Sequence, residues 1–191
     1  MKVKDLKVKN LKRLSNREIK LLNNRIKNEL GILNFEFEKK TELYTGIIIL
    51  NKDGMKGLKC YFLNKKIIFF EYNNNDNNNN NNGNNKHYNR LIPSLHLIIE
   101  NNNFFVSLPK VVVDVGAIRF VVNGADIMRP GIRTLEGFEQ NSLVIVVDEK
   151  HNKPLAVTIA LFDSNTIRSM SKGRVLENIH FVGDDIWEFK L

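Results

Sequence analysis

Hydrophobic spacing in this 191-residue chain switches early from a helical to a strand-like period. Ile19, Leu22, Ile26 and Leu30 recur at three and four residues, which places them on one helical stripe. Ser15-Asn16-Arg17-Glu18 forms a capping box ahead of the stripe, Leu14 and Ile19 a hydrophobic staple, and Gly31 a stop. After it come the β-branched and aromatic runs Gly46–Leu50, Leu58–Leu63 and Ile67–Tyr72. Asn51-Lys52-Asp53-Gly54 and Asn64-Lys65-Lys66 supply turns between them. A capped amphipathic helix followed by a meander of antiparallel strands predicts a small α+β domain.

Residues 73–85 are asparagine apart from Asp76 and Gly83. Such a tract has no apolar surface to offset the entropy of ordering, so residues 73–87 are expected to be a disordered insertion. Pattern resumes at once from Tyr88, so the tract interrupts a domain instead of dividing two. Arg90–Ile99 reads as a helix started by Pro93, and Asn101–Asn103 as a break. Beyond Leu108 the runs Lys110–Val115, Leu143–Asp148, Pro154–Phe162, Arg174–Phe181 and Ile186–Phe189 recur between polar or glycine-bearing breaks, as in a small barrel. Gly116–Asn123 reads as one short helix with Ile118, Val121 and Val122 inward. These patterns predict two domains, 1–107 and 108–191.

Charge is uneven. Residues 1–30 carry ten Lys/Arg against three Asp/Glu, whereas residues 109–191 carry ten against eleven. The basic amino-terminal arm, with Lys7, Lys9, Lys12 and Arg13, suits a phosphate backbone, while the carboxyl-terminal half has no bulk charge to offer one. A solvated lysine-rich face is the plainer alternative for the arm. A single cysteine, Cys60, forms neither a disulfide nor a cysteine-based metal site, and the four histidines (His87, His96, His151, His180) are scattered. No phosphate loop, nucleotide-binding glycine motif or His-Glu-x-x-His occurs. His180 and the Asp184-Asp185 pair read as structural. The expectation is a non-catalytic protein without cofactor or metal. Apolar runs are too short for a membrane span and the lysine-studded start too polar for a secretory signal, so a cytoplasmic location follows.

The stretch Val113–Ile132 is the most patterned in the chain. Asn123-Gly124-Ala125 joins helix to strand with small side chains that let a backbone approach. Arg129 and Arg133 flank Pro130-Gly131 and offer two guanidinium forks. The stretch resembles the start of a PUA domain, the RNA-binding module named for pseudouridine synthases and archaeosine transglycosylases. Asp148-Glu149 with His151–Val157, then Lys172-Gly173-Arg174 and His180–Trp187, resemble the rest of that module in order. Leu14–Ile19, the meander and Leu91–Leu95 resemble the domain that precedes it in archaeal stand-alone PUA proteins and the malignant-T-cell-amplified-sequence proteins, related to the ligatin-type translation factor. Two departures are Thr158, where that family usually has glycine, and Ser94 in place of threonine.

The resemblance implies a PUA β pseudo-barrel behind a small helix-and-sheet domain. It places RNA against Asn123, Gly124, Ala125, Asp126, Met128, Arg129, Pro130, Gly131, Arg133, Lys172 and Arg174. It also implies association with the small ribosomal subunit and with tRNA or small-subunit rRNA in initiation, reinitiation or recycling, with a density-regulated-protein type of partner. An accessory that presents RNA to a modification enzyme, and a protein–protein adaptor, are the alternative readings.

Overall fold

The computed structural model describes residues 7–49, 57–73 and 89–191. The asparagine tract beyond residue 73 and the Asn51–Gly54 turn lie outside the described residues. The chain divides into two compact units between Ile92 and Pro93, whereas the sequence pattern suggests 107 and 108.

In the first unit, helix α1 (Asn16–Leu30) follows its caps. Ser15 Oγ accepts from the Glu18 N–H at 3.3 Å while Glu18 Oε2 accepts from the Ser15 N–H at 2.8 Å. Ile19, Leu22, Ile26 and Leu30 are buried, and Gly31 ends the helix at φ +68°. The sheet runs in order β1 (Val8–Arg13), β2 (Tyr44–Ile48), β3 (Leu58–Leu63), β4 (Lys66–Asn73) and β5 (Asn89–Pro93). Asn64 and Lys65, at φ +50° and +65°, form the tight hairpin between β3 and β4. β1 is a strand that the lysine-rich sequence hides. It is an edge strand, and exposed lysines are the ordinary way an edge is kept from pairing further.

The second unit begins with two short helices, α2 (Leu95–Glu100) and α3 (Asn102–Ser107). Arg90–Ile99 is therefore not one helix. Its first half is strand β5, and Ser94, whose Oγ accepts from the Leu97 N–H, caps the second half. The break expected over Asn101–Asn103 is confined to Asn101, which ends α2 and whose side chain caps α3. β6 (Lys110–Val113), α4 (Val115–Val121), β7 (Ile127–Met128), a 3-10 turn (Arg129–Gly131) and β8 (Ile132–Leu135) follow. Next come β9 (Leu143–Asp148), β10 (Pro154–Ala160), α5 (Ser164–Ser169), β11 (Arg174–Phe181) and α6 (Asp185–Glu188). The Ile186–Phe189 run is thus helical, because Asp184 Oδ1 caps it through the Trp187 N–H at 2.8 Å.

The six strands pair in the order β7-β11-β10-β9-β6-β8, with β6 and β9 parallel. The two edge strands, β7 and β8, are separated in the chain by three residues only, so the sheet must curl until its edges nearly meet. The near-closed barrel holds Val111, Val113, Val144, Val146, Ala156, Val175 and Leu176 at its centre, and Val121 of α4 plugs it. Thr158, the departure from the family's usual glycine, is buried and donates to the Val144 carbonyl at 2.9 Å across the β9–β10 ladder.

Candidate functional site

Asp114 organises the surface where the barrel closes. Its Oδ1 accepts from the Ala117 N–H at 2.8 Å and caps α4, while its own N–H donates to the Gly131 carbonyl at 3.0 Å. The start of the helix is thereby tied to the 3-10 turn. A Cβ at Gly131 would lie 3.1 Å from Ala117 Cβ, so helix and turn meet where little more than glycine fits. Between them lies an open groove of about 440 Å³. Gly116, Ala117, Phe120 and Val121 line it from α4, and Ile127, Met128, Pro130 and Gly131 from β7 and the turn. Asp114, Ala125 and Asp126 complete the lining. Phe120 and Met128 are half exposed, and the Arg119 guanidinium lies 4.6 Å over the Phe120 ring.

Every ionisable group in the lining is a carboxylate, and cations stand outside it. Asp126 is held from β11: Oδ1 accepts from the Asn178 N–H at 2.8 Å and Oδ2 from Arg174 Nη1 at 2.9 Å. That hydrogen bond raises the Arg174 pKa further, fixing its charge at an exposed position. Lys172 is exposed just before Gly173.

The structure separates the predicted residues into two sets. Ala125, Asp126, Met128, Pro130 and Gly131 line the groove. Asn123, Gly124, Arg129, Arg133, Lys172 and Arg174 do not. Gly124 serves the fold, since it has φ +84° and a Cβ there would meet Phe181 Cε1 at 2.8 Å. Arg129 is not the open fork that the sequence suggests, whereas Arg133 stays exposed beside two carboxylates. Arg129 Nε donates to the Ile167 carbonyl at 2.7 Å and Nη1 to Ile132 at 3.4 Å, which braces the turn. Arg133 lies between Glu149 (Nε to Oε2, 3.4 Å) and Asp114 (Nη2 to Oδ2, 3.8 Å). Asn123 bonds back to the Arg119 carbonyl.

Asp114, Ala117 and Phe120 line the groove without having been singled out. The available signal is phase: Val121 is buried, so Phe120 falls off the inward stripe of a helix that has no other exposed aromatic.

The basic arm belongs to the first unit. Lys7 and Lys9 are exposed, Lys12 pairs with Glu18 at 2.7 Å, and Arg13 approaches Glu42 at 3.8 Å. A second pocket of about 290 Å³ there includes Lys12, Leu21, Arg25, Lys59 and Tyr61 in its lining. Its cations are already paired. Glu71, buried, accepts from Arg25 at 2.7 Å, Lys59 at 2.9 Å and the Tyr61 hydroxyl at 2.9 Å. Burial works against its charge, but Lys59, Tyr61 and Arg25 hold the carboxyl below its ordinary range. Cys60 is buried, and that burial pushes its thiol up, away from nucleophilic use. Among the described residues no group of three or more His, Cys, Asp or Glu could hold a metal ion, and no helix is long and apolar enough to cross a membrane.

Comparison with known proteins gives one family pattern, the PUA domain, over residues 109–182. Protein MJ1432 of Methanocaldococcus jannaschii is 44% identical over 106 residues, 53% of this chain and 62% of that protein. Translation machinery-associated protein 20 of Eremothecium gossypii is 31% identical over 160 residues, 80% of this chain and 75% of its own length. Malignant T-cell-amplified sequence 2 of Homo sapiens is 33% identical over 102 residues, 51% of this chain and 55% of its own. The chain thus spans less than two thirds of the archaeal and human relatives. Among solved structures, a PUA domain from Aeropyrum pernix K1 superposes with a TM-score of 0.71 at 22% identity, covering 95% of this chain and 90% of that one.

Proposed function

Because the chain belongs to the family of translation machinery-associated protein 20 and the malignant T-cell-amplified sequence proteins, we propose that it is a non-catalytic RNA-binding protein of the translation machinery. The observation that carries this reading is the open α4–β7 groove inside the matched PUA domain, with Arg119, Lys172 and Arg174 exposed around a carboxylate-lined, apolar interior. A surface of that kind recognises RNA by local shape and by exposed base, not by bulk charge.

In this reading the binding module is residues 108–191. Ala125, Asp126, Met128, Pro130 and Gly131 face the strand, Lys172 and Arg174 take its phosphates, and Arg129 and Arg133 hold the groove in shape. Lys7, Lys9, Lys12 and Arg13 add the salt-dependent share of affinity. The target is tRNA or small-subunit rRNA on the small ribosomal subunit in the cytoplasm, during initiation, reinitiation or recycling, with a density-regulated-protein type of partner.

Sedimentation of cell extract on a sucrose gradient tests it. Co-migration with small subunits that is lost on nuclease treatment is the expected result. Migration with free tRNA precursors points instead to an accessory of RNA modification, and a stoichiometric protein partner without RNA to an adaptor.

A further inference from the structure

We infer that the pocket between α1 and the β1–β3 end of the first unit's sheet docks an acidic segment of a protein partner. One large aliphatic side chain of that segment enters between Leu14, Leu21 and Leu22, and carboxylates on either side of it pair with Lys12 and Lys59. This goes beyond the RNA-binding reading and does not depend on it, since the pocket lies outside the matched PUA domain.

The apolar side comes from a leucine out of phase. The buried stripe of α1 is Ile19, Leu22, Ile26 and Leu30, so Leu21 faces solvent and is 55% exposed. A single exposed leucine is ordinary on a protein surface. Leu21 differs because it continues into a concavity of about 290 Å³ whose further apolar walls, Leu14 and Leu22, are buried. That volume is at the small end for a ligand cavity and takes a large side chain, not a folded domain. The lining also disfavours a nucleobase. Its aromatic residue is Tyr61, which is buried, donates its hydroxyl to Glu71 and has Lys59 over its ring, so no open face is offered for stacking.

The polar side sets the sign of the partner. Lys12, Arg25 and Lys59 stand in the lining against one carboxylate, Glu18. Arg25 is spent on Glu29, Glu71 and the Asn89 carbonyl, and serves as wall. The two lysines are paired but not exhausted. Lys12 donates to Glu18 and Lys59 to Glu71, while an ammonium carries three donors. Their side chains are 61% and 46% exposed, whereas that of Glu71 is 6% exposed, so an arriving group meets the ammonium ends before the buried carboxylate. The field beyond is positive as well. Arg17 and Arg25 lie one helical turn to either side of Leu21, and residues 1–30 hold ten Lys/Arg against three Asp/Glu. An aliphatic anchor between acidic residues complements both sides of the pocket at once.

Fluorescence anisotropy on the full chain tests this with a labelled dodecapeptide in which three leucines stand between glutamates and aspartates. The peptide should bind at low salt, and binding should weaken as salt rises. Replacing its leucines by alanine should weaken it at least about tenfold, the worth of one buried leucine side chain. Replacing its acidic residues by lysine should abolish binding. On the protein, Leu21→Gln should weaken the peptide by roughly tenfold at every salt concentration. Lys12→Gln should weaken it most at low salt and flatten the salt dependence. Circular dichroism melts confirm that both variants fold, and unfractionated tRNA should bind Leu21→Gln as it binds wild type. No binding of the acidic peptide at low salt, equal affinity for the leucine and alanine peptides, or an affinity untouched by Leu21→Gln overturns the docking pocket while the RNA-binding reading stands. Displacement of the peptide by uridylate octamers, together with loss of tRNA affinity in Leu21→Gln, also overturns it and assigns the pocket to RNA. Absence of tRNA binding with peptide binding intact overturns the RNA-binding reading alone.

Discussion

Gly124 and His180 are two residues whose geometry the fold itself uses. A methyl group at Gly124 meets Phe181 Cε1 at 2.8 Å and must adopt φ +84°. The conformation alone costs an L-residue about 1–2 kcal/mol. Gly124→Ala should lower the melting temperature yet leave RNA affinity unchanged at a temperature where the protein is fully folded; a loss of affinity there would make Gly124 an RNA contact. His180 is fully buried on β11. The Leu95 N–H donates to its Nε2 at 3.1 Å, so the ring proton is on Nδ1 and faces Asp184 Oδ2 at 2.7 Å. His180→Phe leaves the Leu95 amide without its partner, at about 1–3 kcal/mol for a buried group, while Asp184 Oδ2 keeps the Phe181 N–H. A two-state denaturation midpoint close to wild type would mean that water replaces the ring. The structural reading of His180 was open to sequence, since it lies beside a turn-like Asp pair with no second histidine near. The occupation of Arg129 was not, because its acceptor at Ile167 is 38 residues away.

Caps decide elements where apolar runs are ambiguous. Ser15 and Glu18 made α1 legible to the residue, and the structure returns both reciprocal bonds. In Arg90–Ile99 and Ile186–Phe189 the apolar pattern fits helix or strand equally, and the deciding residues, Ser94 and Asp184, each satisfy an N-terminal N–H. The α1 cap carries a pH signature. The side-chain bond from Lys12, then those from Ser15, hold the Glu18 carboxyl at about 2, against an ordinary 4.5. A carboxyl depressed by folding stabilises above its unfolded pKa and loses that contribution as pH falls through its folded one. Glu18→Gln should therefore melt below wild type at neutral pH, and the gap should close as pH drops from 4.5 toward 2. A gap that stays constant through this window would assign the cap no charge dependence. Ser15→Ala removes the other half of the box and costs about 0.5–2 kcal/mol, readable as a shift in midpoint at unchanged m-value.

At the scale of the whole molecule, sequence arithmetic located the charge well and the groove poorly. Charge is a count along the chain, whereas the groove exists only because α4 and the 3-10 turn, joined through Asp114 and Gly131, come together at the closure of a barrel. The uneven charge makes a separable prediction. Each phosphate neutralised on single-stranded RNA contributes roughly −0.7 to the slope of log K against log salt. Lys7 and Lys9 are exposed, while Lys12 and Arg13 have carboxylates nearby, so the first two should account for most of the arm's share. Reversing all four to glutamate should flatten the slope by roughly 0.7 for each phosphate no longer neutralised, and reversing Lys7 and Lys9 alone should recover most of that change. An unaltered slope would strip the arm of its RNA role and leave Arg119, Lys172 and Arg174 to carry the phosphates, in which case Lys172→Glu becomes the substitution that flattens it.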